Sequence, residues 1–83
     1  MKELVLPSGR FAQIRNMTWW DRVLTNNSNP EVYIFCMAVR VTTIDGEPLT
    51  AQAASEMPLE EANPIIELVA DQILASLRSK GVA

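Results

Sequence analysis

The chain has 83 residues, one cysteine, no histidine and a net charge of −3, with 48% hydrophobic and 20% charged residues. That leaves room for one domain with a small core. It excludes an internal disulfide and removes both the commonest general base and the commonest zinc ligand. The seven basic residues stand singly along the chain, which does not suit nucleic acid, whose binders cluster Lys and Arg to displace counterions. No apolar run approaches the ~20 residues needed to span a bilayer, and Glu3 and Pro7 interrupt the N-terminal layout of a signal peptide. A cytoplasmic globular domain is expected, with no membrane partner.

Glu3–Leu6 is a short apolar run, and Pro7-Ser8-Gly9-Arg10 reads as a turn in which Pro fixes φ and Gly is free to take φ > 0. Phe11–Arg15 follows with rough alternation, so the N-terminus is expected to form a β-hairpin over residues 3–15. Asn16 or Thr18 can cap a helix running to Thr25, and Thr18-Trp19-Trp20-Asp21 is close to a capping box. A polar loop, Asn26 to Asn29, ends in a strong start signal: Asn29 as N-cap, Pro30 at the first helical position and Glu31 against the dipole.

Val32 to Val41 is apolar almost all round. Periodicity alone does not separate a buried strand from a buried helix here, and the Asn-Pro-Glu opening favours a central buried helix over residues 30–40. Asp45-Gly46 then marks a tight hairpin turn, with Pro48 confining its second arm to an edge. Thr50 can cap a short helical turn from Ala51 to Ser55. Met57-Pro58-Leu59-Glu60-Glu61 opens a last helix over about 58–79, its acids complementing the dipole. Pro64 deletes a backbone hydrogen bond inside it, so the helix either kinks or restarts with Asn63 as cap. Gly81 is expected to end it, leaving Val82 and Ala83 to fray. The fold class is α+β: one domain spanning residues 1–83, a β-hairpin followed by a mainly helical body of about three helices with an Asp-Gly turn.

The sequence offers no catalytic or metal-binding constellation. Cys36 lies among Phe35, Met37 and Val39 without a base to form a thiolate, and reads as a buried apolar residue. Ser8-Gly9-Arg10 lacks the glycines and Lys of a phosphate loop. Adjacent Glu60 and Glu61 point to different sides of a helix, which suits a solvated first turn better than a hard cation. An enzyme is not expected, and neither is a cofactor or tightly bound transition metal.

Protein binding is where the sequence points instead. Trp19 and Trp20 diverge by ~100° on a helix, so one ring can enter the core while the other serves as an interface anchor; the alternative places both rings, partly buried, around a small core. The last helix carries Ile65 and Leu74 besides the seam Ile66-Val69-Ile73-Leu77, a wider stripe than one small core requires. Trp19, Trp20, Ile65 and Leu74 are therefore the candidate protein-binding residues, for self-association or for a helix-in-groove partner.

In order, Leu6–Ala12, the helical stretch running into Val41-Thr42-Thr43-Ile44-Asp45-Gly46-Glu47-Pro48-Leu49-Thr50, and Met57–Glu61 before an apolar C-terminal helix resemble the small tail assembly chaperones of P2-like and Mu-like contractile-tailed phages and prophages. Trp19-Trp20 and Pro64 depart from that pattern. The resemblance implies a dedicated chaperone, without cofactor or active site, that coats the tape-measure protein until tail-tube subunits polymerise around it. The alternative is a small structural tail or connector component that stays in the particle.

Overall fold

A computed structural model describes residues 1–82, with side chains described up to Ala75. The first hairpin forms as its residues dictate. Strand β1 (Lys2–Val5) pairs antiparallel with β2 (Phe11–Ile14), Lys2 opposite Ile14 and Val5 opposite Phe11. Gly9 donates to the Leu6 carbonyl at 2.8 Å across the Pro7-Ser8 turn. Its φ of +91° is one that side-chain-bearing residues rarely adopt.

Three caps set the next helices. Thr18 caps α1 (Trp19–Thr25), and Asp21 completes a full capping box. Asn29 caps α2 (Pro30–Val41) by accepting from the Glu31 amide at 2.9 Å. The chain then returns as β3 (Thr42–Ile44), turns through Asp45 and Gly46, both at positive φ, and adds the two-residue edge β4 (Glu47–Pro48). Such a pair of residues matches a type I′ turn. Thr50 caps the short α3 (Ala51–Glu56), and α4 (Leu59–Val82) closes the chain.

The two hairpins belong to one sheet of order β1-β2-β3-β4. β2 pairs antiparallel with β3 across the intervening helices, Ala12 opposite Ile44 and Ile14 opposite Thr42. The Arg15 amide extends the ladder to the Val41 carbonyl at 3.0 Å. Asp45 locks the far end, its carboxylate accepting from the Phe11 amide at 2.9 Å while its own amide donates to the Phe11 carbonyl at 2.7 Å. Because strand side chains alternate, Ala12 and Ile14 point together into a core that also takes Leu6, Met37, Val41, Ile65 and Val69. Helices α2 and α4 supply its other side. The fold is a small α+β domain, a helical layer on one face of an antiparallel sheet.

Four local expectations change. α4 is one helix that neither restarts at Asn63 nor stops at Gly81, since it runs to Val82. Pro64 is tolerated because the carbonyl it leaves unpaired belongs to Glu60, an exposed residue of the first turn; the expected fraying at Ala83 lies outside the described residues. α2 is buried only towards its C-terminal end, at Met37, Ala38 and Val41, while Val32 and Phe35 stay partly exposed. Cys36 is accordingly half-buried. Glu61, expected on a solvated turn, is buried. It accepts from the Ser8 amide at 3.0 Å and from Arg10 at 3.2 Å, tying α4 to the first hairpin turn.

Truncating Ile14 to Ala, at a fully buried position, is expected to cost about 2–5 kcal/mol in denaturant unfolding. Thr42 gives the opposite expectation. Its hydroxyl is buried with no hydrogen-bond partner, so Thr42→Val should raise stability by about 1 kcal/mol, by relieving the desolvation of an unpaired polar group.

Candidate functional site

Helix α1 is mounted inside out. Its two buried residues are polar, Asp21 and Thr25, one turn apart and so on one side. The opposite side carries Trp19 above Val23 and Trp20 above Leu24. Those four are 81%, 55%, 60% and 50% exposed. An amphipathic helix ordinarily turns its apolar stripe to the core; here that stripe faces solvent.

Charge holds it in this orientation. Asp21 lies beneath α1, where Arg15 grips both carboxylate oxygens, each at 2.7 Å. Arg40 of α2 reaches the same carboxylate. Thr18 adds its amide at 2.8 Å and its hydroxyl at 3.0 Å. The Arg15 guanidinium above all, helped by Thr18 and Arg40, holds the Asp21 carboxyl far below its ordinary value of 3.8 against the opposing effect of burial. The same pair raises Arg15. Thr25 satisfies itself by donating to the Asp21 carbonyl at 2.7 Å, and it meets the Met37 sulfur.

The cost of the arrangement is large. An aromatic side chain carries roughly 150–250 Å², so the two indoles leave about 300 Å² uncovered, worth roughly 7 kcal/mol at 25 cal/mol per Å². That is comparable with the whole stability of an ordinary domain, about 5–15 kcal/mol. The largest apolar patch on a typical monomer is of about this size, a few hundred Å².

A second apolar feature lies on another flank of α2. α1 meets α2 at Met37 and Arg40; the residues Ile34, Phe35 and Ala38 instead form the floor of a groove walled by α3 and α4, of about 410 Å³. Leu59 and Ile66 line it from α4, and Glu31 is its one charged lining residue.

The four candidate residues separate accordingly. Trp19 and Trp20 are both exposed, rather than one ring or both being drawn into the core. Leu74 is half-exposed on α4. Ile65 is corrected: at 3% exposure it belongs to the core beside Val69, with only a groove wall to its credit, because the buried side of α4 runs through Glu61, Ile65 and Val69. Val23 and Leu24 were missed, although their i, i+4 spacing from the tryptophans was there to read. Among the described residues no cluster of three or more His, Cys, Asp or Glu side chains could hold a metal ion, and no helix is long and apolar enough to cross a membrane.

Asp21→Asn should lower stability at neutral pH by about 2–3 kcal/mol, the lower end for breaking a buried pair, since both arginines are partly exposed and regain water. The pH dependence has a defined sign. A carboxyl depressed on folding contributes stability that is complete above its unfolded value, about 4, and drains away as pH falls below it. Urea unfolding between pH 7 and pH 2.5, roughly the span of carboxylate titration, should therefore show a shallower acid loss for Asp21→Asn than for the wild type. Equal slopes would remove Asp21 as the clamp.

Comparison of the chain with protein-family models, with curated proteins and with solved structures finds no match. The exposed face of α1 and the groove beside α2 are the two apolar surface features described above.

Proposed function

We propose that this domain is a protein-binding chaperone that covers apolar helical surface on a client, and that the client is the tape-measure protein of a phage or prophage tail. The observation that carries the reading is the inverted α1, which presents two tryptophans, a valine and a leucine to solvent from a helix anchored by its polar side. Large rigid aromatics concentrate binding energy when a partner desolvates them. An apolar ridge on a small acidic domain suits the apolar side of a long client helix, which it would keep from aggregating without any chemistry. The resemblance of Leu6–Ala12, Val41–Thr50 and Met57–Glu61 to tail assembly chaperones supplies the client's identity.

The test is co-expression with the tape-measure protein encoded by the same phage or prophage. Wild-type domain should hold that protein in the soluble fraction, and Trp20→Ala or Trp19→Ala should move it to the pellet. Each substitution should change folding stability by no more than about 0.5 kcal/mol, as at other exposed sites. Affinity should fall by about 2 kcal/mol or more, roughly thirtyfold, as at hot-spot aromatics. A Trp19, Trp20 double variant that folds and still keeps the client soluble would remove α1 as the binding face. Recovery of the domain in finished particles would assign it instead to the tail structure.

A further inference from the structure

Four residues of α2 that line the groove, Glu31, Ile34, Phe35 and Ala38, are spaced i, i+3, i+4 and i+7 and so form one stripe along the helix. The stripe is apolar except at its N-terminal end, where Glu31 places a carboxylate. Glu31 complements the dipole of α2, yet among the described residues no Lys or Arg pairs with it, and no basic residue lines the groove. The trough thus has a direction: an apolar length between α2 and α4, and one negative charge at its end. Its volume of about 410 Å³ has room for a few side chains, not for a whole helix of about 10–12 Å diameter. Its rim is open. Phe35 and Leu59 remain 39% and 69% exposed, so a free small molecule would keep much of its surface in water, where ligand sites ordinarily cover roughly 70–90%. A side chain carried by a second protein avoids that, because the carrying surface roofs the trough.

We propose that the groove docks a partner-protein segment that presents an apolar side chain and, about one turn along, a lysine or arginine. The apolar group lies over Ile34, Phe35 and Ile66, and the cation reaches Glu31. Glu31 and Phe35 are about 6 Å apart along the axis of α2, at 1.5 Å of rise per residue, so the spacing required is that of i and i+4 on a partner helix. Lys and Arg lay their aliphatic stems on apolar surface while the charged head stays in water, so the basic residue extends the apolar contact before it meets the carboxylate. Glu31 is exposed, and a pair of exposed charges adds little affinity. Its part is selection: it admits a basic neighbour and repels an acidic one. The inference goes beyond the client reading, since the groove lies on another flank of α2 than α1 and needs neither tryptophan.

Two capped helical peptides, alike except for Lys or Glu four residues from a pair of leucines, test this by amide chemical-shift titration of the chain. Low salt is used, where exposed charges are least screened. Both peptides should shift the resonances of Ile34, Phe35 and Ile66, with dissociation constants on the order of a millimolar for so small a contact. The Lys peptide should bind roughly threefold tighter or more. Glu31→Gln should abolish that preference and Glu31→Lys should invert it. Both variants change an exposed residue and should keep the wild-type circular dichroism; should the charge reversal disturb α2, Glu31→Gln alone decides. Equal affinity for the two peptides overturns the proposal, as does a preference that survives Glu31→Gln, or shifts that fall outside the groove. Free n-hexylammonium binding as tightly as the Lys peptide also overturns it, assigning the groove to a small amine. A wild type that keeps the tape-measure protein soluble but shows no peptide preference sinks this inference alone. One that shows the preference but releases the client sinks only the client reading.

Discussion

Asp21 receives hydrogen bonds from the residue that follows β2, Arg15, from α2 through Arg40 and from the start of its own helix through Thr18. One carboxylate thus joins three consecutive elements at a point where α1 offers no apolar side chain to the core. A buried ion pair does not in general add net stability over a packed apolar group. It does fix geometry, because carboxylate and guanidinium meet in few orientations. An apolar side chain at position 21 could let α1 roll and bury its stripe. The charge cluster denies that solution by requiring the carboxylate beneath the helix, so the tryptophans point outward.

The small core explains why such a device is needed. Leu6, Ala12, Ile14, Met37, Ala38, Val41, Ile65 and Val69 fill the space between sheet and helices, and no large aromatic side chain is among them. A domain this size has little room for two indoles. Glu61 does for the first hairpin turn what Asp21 does for α1. Hydrogen bonding from Ser8 first, then the Arg10 guanidinium, holds its carboxyl below the ordinary range, and α4 is thereby pinned at its N-terminal end. Polar clamps set the orientation of elements whose apolar contacts alone are too few to do so.

What was legible in the sequence is what is decided locally. Thr18, Asn29-Pro30, Thr50 and Asp45-Gly46 place three caps and a turn through bonds spanning a few residues, and each carries its own signal. The pairing of β2 with β3 has no local signal, since the strands lie either side of two helices and their union depends on where α2 ends. Asp21 already had a complete local explanation in its capping box, so nothing in its neighbourhood announced Arg15 and Arg40. The stripe Trp19-Trp20-Val23-Leu24 was fully visible as a pattern, yet a pattern does not say which way it faces. Ile65 and Leu74 show the same limit on α4: both belong to one wide stripe, and only the position of α2 divides it into an inner and an outer half.

The polar mounting of α1 also gives the domain two tiers of cooperativity. Releasing the helix breaks ion pairs, a cap and the Thr25 contact, but it uncovers little of the apolar core, so it need not wait for global unfolding. Local openings of this kind form distinct units of lower free energy within a native protein. Backbone amides from Arg22 to Asn26, which are bonded within α1, should therefore exchange with deuterium through an opening that denaturant hardly promotes, since little surface is exposed, whereas amides of β2 and of α4 around Val69 exchange only through the full transition. The domain is then a rigid sheet-and-helix platform carrying one helix that can let go by itself.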